Sequence, residues 1–444
     1  MKKIIVIDII ILLFLVPSII FTKVYYYVKD NNINLSNFDI VYENKIDEDF
    51  KYTVKIDSKD NNEFYSFKID NSDYLKHDNA VFKLEEGKHI LYVKKGEKTA
   101  SKEVYVKKNI LGSFSSSIDN LDIYYLALNG QKAFNFSFKY DDTFNKNVYY
   151  KIENSNVIKI ENNIVYGLSV GNSKVTAYLE DGNKKEYNFM VTDLIVPMYI
   201  DNNKPYLSCN KYTFEEAQLL DDILYSRVKE GIEGSRGGVL AAARFLTLEF
   251  PYSINYFNEN GRLNNHNSKH IDGEGRYYHK GLYLDSSKYL DIEKNSSTFS
   301  GPKIWGCPLY DEYLNSYRSN GFSCSGFVTW AMYNGGFDVK DVGAGDYIDI
   351  DDELSDLGKR NKITYEYMKN GNYKVGDFIA RDGHAALIIG IDENNIYTAE
   401  SLPPKLKVYT YERYSGIVKD TNLTYIIEMD DIYKEKSSNY NNMW

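Results

Sequence analysis

The sequence predicts a multidomain fold: an N-terminal transmembrane helix, two all-β sandwiches and a C-terminal α+β domain. Three observations lead there. Ile4–Phe21 is an apolar run broken only by Asp8, Pro17 and Ser18. Residues 36–195 are short alternating runs split by Asn and Gly turns, the pattern of half-buried strands. Past residue 205 the apolar positions recur every three or four residues, as on a helix face. A chain of 444 residues also exceeds what one ordinary core organises.

Composition narrows the function classes. The chain is 43% hydrophobic and 26% charged, which fits a globular protein. Its formal charge is −10 with no dense Lys/Arg stripe, which excludes nucleic acid as the main partner.

Lys2 and Lys3 precede the apolar run, which would extend roughly 27 Å as a helix, about one bilayer core. No small-x-small cleavage site follows it. Residues 1–30 therefore read as a signal anchor in the membrane, with Tyr25–Tyr27 at the outer interface and everything beyond outside the cell. A cleaved signal, giving a secreted chain, is the alternative.

Residues 36–108 contain "DFKYTVKID", "EFYSFKID" and "KHILYVKKG", each alternating, and read as a first sandwich. Residues 109–195 read as a second, with Ile158, Ile160, Ile164, Val175 and Ala177 on the apolar side and breaks at Gly167 and Gly171. "VYGLSVGNSKV" (165–175) resembles the later strands of the bacterial immunoglobulin-like (Big) domain. Neither segment clusters reactive side chains, so both are expected to be spacer or adhesion modules.

The α+β domain is expected over 205–432. Thr213 with Glu216 forms a capping box, and Leu219, Leu220, Ile223 and Leu224 follow at helical spacing. "GGVLAAARFLTLEF" reads as a second, buried helix. Residues 433–444 read as a solvated tail.

Within this domain, "GFSCSGFVTWAMYNGG" (321–336) starts a helix at Cys324 if Ser323 is its N-cap. A helix N-terminus favours a thiolate, and Ser325 with Gly326 keeps the first turn small for a substrate. A buried core thiol is the competing reading. His384 stands at the mouth of "AALIIGI", a buried-strand pattern, and suits a base facing that helix. Glu400 is the carboxylate of the next strand. With an odd hairpin loop centred near Glu393 it opposes Ala386 and shares the His384 face; with an even loop it does not. Thr398 is the weaker candidate on that strand.

"Ser-Cys-Ser-Gly-Phe-Val-x-Trp", the "Val-Gly-Asp-Phe" turn at 375–378 and "Gly-His-Ala-Ala-Leu-Ile-Ile-Gly" at 383–390 resemble NlpC-type, papain-like cysteine peptidases of bacterial cell walls. The resemblance implies a papain-like fold over about 205–430 and metal-free cleavage of amide bonds in peptidoglycan stem peptides. It makes Cys324 the nucleophile, His384 the base, Glu400 the third residue and Asp377 a structural turn residue. Ser323 stands where many members carry an Asp that recognises a substrate amine. Trp305-Gly306 and Tyr256 partly match an upstream substrate-binding element.

Cys209 and Cys307 could pair outside the cell. His266, His270 and His279 with Asp272 and Glu274 match no zinc template, so no metal and no cofactor are expected. The expected function is that of a membrane-anchored extracellular cysteine hydrolase of peptidoglycan. An amidase or acyltransferase on another extracellular amide, or a non-catalytic wall-binding or adhesion protein, are the alternatives. The sequence names no protein partner.

Overall fold

The computed structural model describes residues 33–59, 64–140, 146–208, 210–257, 280–284, 302–311, 316–318, 320–339, 357–420, 423–433 and 440–444. They divide into two compact units: 1–114 with 138–151 and 177–185, and 115–137 with 152–176 and 186–444.

The first unit is built on two sheets. Three strands, Phe38–Ile46, Tyr52–Ser58 and Val81–Leu84, form one; four strands, Leu75–Lys76, Tyr65–Ile69, Gly87–Lys95 and Lys98–Val106, form the other. The alternation in sequence becomes alternation in burial. Tyr52 and Val54 are buried while Thr53 and Lys55, alternating with them, face water. Phe38, Tyr52, Phe67, Leu91 and Val93 meet in the core.

In the second unit, Gln131–Ala133, Ile164–Gly167 and Ile158–Glu161 form a three-stranded sheet. Tyr124–Ala127 pairs in parallel with Phe189–Thr192. Gly167 has a packing reason. A Cβ there would lie 2.7 Å from the Ala127 carbonyl oxygen, so only glycine allows that approach.

Three helices follow: α1 (Phe214–Glu230), α2 (Arg236–Arg244) and α3 (Cys324–Asn334). The capping box of α1 is formed in both directions: the Glu216 carboxylate accepts from the Thr213 amide at 2.8 Å, and Thr213 Oγ1 accepts from the Glu216 amide at 3.1 Å. Six strands make an antiparallel sheet: β1 (Lys359–Lys362), β2 (Phe378–Arg381), β3 (His384–Ile391), β4 (Asn395–Leu402), β5 (Lys405–Glu412) and β6 (Tyr425–Glu428). Their order is β1-β6-β2-β3-β4-β5. All eight residues of β3 are buried, and α2 and α3 both pack on it.

The expected fold class needs correction. The described chain is predominantly β with few helices. No helix among the described residues is long and apolar enough to cross a membrane, and the apolar run 4–21 lies outside them. A self-standing papain-like domain over 205–432 is also not what forms. That segment shares one compact unit with 115–137, 152–176 and 186–204, and the segment expected as the second sandwich is divided between the two units. The physical reason lies in buried polar side chains that reach upstream. Arg227 Nη2 donates to the Tyr125 carbonyl at 2.8 Å, and Ser226 Oγ to that of Ile123 at 3.2 Å.

The expected flexible tail is corrected as well. Residues 434–439 lie outside the described residues, but Asn442 accepts from the Ile391 amide at 2.9 Å, and the half-buried Trp444 packs edge-on against Tyr397.

Candidate functional site

Cys324 is the first residue of α3. Ser323 caps the helix, its Oγ accepting from the Gly326 amide at 3.2 Å. Below it Phe322 packs at a tilt against Trp305 with ring centroids 4.5 Å apart, and the Phe322 carbonyl accepts from Ser401 Oγ at 2.6 Å. That bond ties the start of α3 to β4. The thiol is half-buried, with Sγ 3.9 Å from the Gly383 carbonyl, and is a free cysteine.

Gly383 turns the chain with φ of 77° and delivers His384 as the first residue of β3. His384 Nε2 lies 2.8 Å from Glu400 Oε2, both side chains almost completely buried. Glu400 also accepts from Thr398 Oγ1 at 2.5 Å and Tyr411 OH at 2.9 Å. Buried and held by these donors, it is the acceptor side of the pair. Nε2 therefore carries the proton, and Nδ1, buried without a partner in hydrogen-bond geometry, is left for the thiol.

The sequence leaves the register of this hairpin open between an odd and an even loop. Ile391 pairs with Ile396, which encloses the even loop 392–395. Left uninterrupted, that register would set Glu400 opposite Leu387, on the wrong face. The ladder shifts by one residue between Ile388 and Gly390, after which Leu387 pairs with Ala399. Continuing from there, Glu400 lies opposite Ala386 and shares the His384 face. A β-bulge in an even-looped hairpin thus puts Glu400 on the face that an odd loop would give it.

Charge follows geometry. Burial pushes the Cys324 thiol up, but its contact with His384 and amide donation from Ala385 and Ser325 bring it below the ordinary thiol value. Burial lowers His384, but Cys324 and Glu400 outweigh it and raise the imidazole to about 9. The two shifts both favour the thiolate–imidazolium form of the pair. Tyr256, bridged to Phe322, has its phenol raised by burial and by the nearby Cys324 charge, so it remains a protonated donor beside the sulfur.

Three residues assigned to substrate binding do other work. Trp305 is fully buried against Phe322, and Ser323 is occupied as a cap. Ser325 is buried, and its carbonyl accepts from Thr329 Oγ1 at 2.8 Å. All three are buried. Asp377 is structural: one oxygen accepts from Arg236 Nη1 at 2.6 Å and from the Met429 amide at 3.0 Å. Cys307 is buried and disulfide-bonded. Cys209, His266, His270, Asp272, Glu274 and His279 lie outside the described residues.

The sequence reading missed Tyr411 and Ser401. Tyr411 had a signal: Leu402 pairs with Lys405 across Pro403-Pro404, a two-residue connection that fixes which face of β5 adjoins Glu400.

No family model matches the chain, and no curated protein matches it. Among solved structures it is similar to domains 4 and 5 of the S-layer protein SbsC, at 18% identity over 35% of this chain and 97% of that one, with a TM-score of 0.16. A longer SbsC fragment matches over 39% of this chain and 31% of its own length, at 17% identity and a TM-score of 0.17. A C-terminal fragment of intimin, solved in complex with the intimin-binding domain of its translocated receptor, matches over 38% of this chain and 63% of its own, at 16% identity and a TM-score of 0.15. These are surface-layer and adhesin structures. None of these matches tests the resemblance to NlpC-type peptidases, and the apolar run 4–21 lies outside the described residues.

Proposed function

We propose that this is an extracellular protein that uses Cys324 as the nucleophile of an acyl transfer from an amide, with peptidoglycan stem peptides as the first substrate class to test. The observation that carries the reading is the line from the half-buried Cys324 to the buried His384 and Glu400, in which thiol and imidazole shift each other's proton affinity in opposite directions. The thiolate attacks the amide carbonyl, and a thioester forms as the C–N bond breaks. Imidazolium Nδ1 gives its proton to the departing amine. Water, or a second amine, then takes the acyl group and restores the thiolate. Glu400 fixes the imidazole and stabilises its charged form throughout. The disulfide at Cys307 supports an oxidising compartment.

A second reading, a wall-binding or adhesion protein, is favoured by the first unit, which is built of sheet and shows no clustered nucleophile, base and acid among its described residues. One experiment separates the two. Purified peptidoglycan is incubated with the whole chain and with the Cys324→Ala variant, and soluble products are read by mass spectrometry. Peptide fragments released by the first and not by the second support acyl transfer, and products carrying an added amine identify transfer to an acceptor. Equal binding of both proteins to the wall with no product from either would overturn the catalytic reading in favour of adhesion.

A further inference from the structure

Within the second unit lies a cavity of about 470 Å³ that the proposed chemistry does not use. Its walls include Arg227 of α1, Leu240 and Arg244 of α2, Lys132, and the C-terminal Trp444. Arg244 donates to the Ile389 carbonyl at 2.9 Å, and Ile389 is five residues along β3 from His384, or about 16 Å at strand rise. The cavity is therefore a different place from the thiol.

Its charge does not balance. Arg227 is buried and bidentate on Glu249, with Nε at 2.9 Å and Nη2 at 2.8 Å, and Nη2 also reaches the Tyr125 carbonyl. Its Nη1 is buried with no hydrogen-bond partner. Arg244 is 7% exposed and spends Nε and Nη2 on the carbonyls of Ile389 and Asn441. It meets no carboxylate among the described residues, and burial pulls its guanidinium down to about 10. Lys132 at the rim pairs with Glu230 at 3.4 Å. Three cations thus face two carboxylates, Glu230 and Glu249, and the uncompensated charge falls on Arg244. A buried guanidinium without a counter-ion is unfavourable, and an anion placed against its free edge relieves it.

We propose that this cavity binds the anionic group of a ligand, a carboxylate or a phosphate, on Arg244 and Arg227 Nη1, with the rest of the ligand against Leu240 and Trp444. The planar guanidinium fork matches both oxyanions, and the volume suits a ligand of dipeptide or monosaccharide size.

The test is calorimetric titration of the whole chain with N-acetylalanine and with glycerol phosphate, using N-acetylalanine amide as the neutral control. At least one anion should bind saturably at one site, more weakly as salt rises, and the amide should not. Arg244→Gln and the cavity-filling Ala241→Phe should each weaken binding at least tenfold. Both should leave the rate of Cys324 alkylation by iodoacetamide unchanged, which also reports that they fold. Binding of the carboxylate alone supports a peptide or sugar-acid ligand, and of the phosphate alone a phosphorylated one. No saturable binding of either anion, or unchanged affinity in Arg244→Gln, overturns the site. Because the readout is heat of binding, this outcome is independent of whether Cys324 acts on an amide.

Discussion

The Cys324 thiol is held below its ordinary value and the His384 imidazole is raised to about 9, and this sets how the site responds to pH. With the thiol held low and the imidazole raised to about 9, the pair stays charged below pH 9 until the thiolate is protonated. Iodoacetamide should therefore alkylate Cys324 rapidly at pH values where an ordinary thiol, near 9.0, is mostly protonated. A rate that rises only around pH 9 would contradict the pair. Because His384 is raised in the fold, the stability it contributes is complete below its unfolded value of 6.5 and is lost as pH rises through about 9. Glu400→Gln should keep the fold, lower the upper limb of the pH–rate profile, and slow turnover on the order of 10²-fold; Glu400→Ala should be slower still. Thr398→Ala, at the weaker candidate of that strand, should not be neutral. It removes a buried donor 2.5 Å from Glu400 and should lower stability by about 1 kcal/mol, seen in urea titration.

Individual strands and helices of the site differ in how readable they are. The start of α3 is local chemistry, and Ser-Cys-Ser-Gly suffices to place it. Ser323→Ala should cost about 1 kcal/mol in thermal melts, and Ser323→Asp, also a good cap, far less. Glu400 is a harder case. Its type and strand are legible, but its face depends on the parity of the residues between His384 and Glu400, and the sequence carries no mark of the shift near Ile389. Bulges answer to packing on both faces of a strand, which single-strand periodicity does not contain. The docking of the last residues is unreadable for a similar reason: "YNNMW" looks polar, and only the flat surface at Gly390 gives its tryptophan a place. A Cβ on Gly390 would stand 2.7 Å from the Trp444 ring. Gly390→Ala should cost about 1–3 kcal/mol by overpacking. Combined with Trp444→Ala the penalty should shrink, a non-additivity that a double-mutant cycle measures.

At the scale of the second unit, a buried cation fastens distant parts of the chain. Arg236 binds Asp377, which precedes β2, and also Asp430, which follows β6, while Tyr433 donates to the Gly376 carbonyl at 3.0 Å. Arg236→Ala strands a carboxylate that burial already pushes toward its neutral form, and should destabilise by about 3–5 kcal/mol in denaturant titration. Pairing it with Asp377→Asn should recover part of that loss.

Arg227 has a different reach, since the carbonyl it needs belongs to Tyr125, 102 positions upstream. The composition shift near residue 205 looks like a seam where genes could be cut and rejoined, yet in the folded molecule there is no seam. A recombination event that exchanged the upstream strands would have to bring an acceptor to the place of the Tyr125 carbonyl and a neighbour for Ser226. The two stretches of sequence are thus bound to be inherited together.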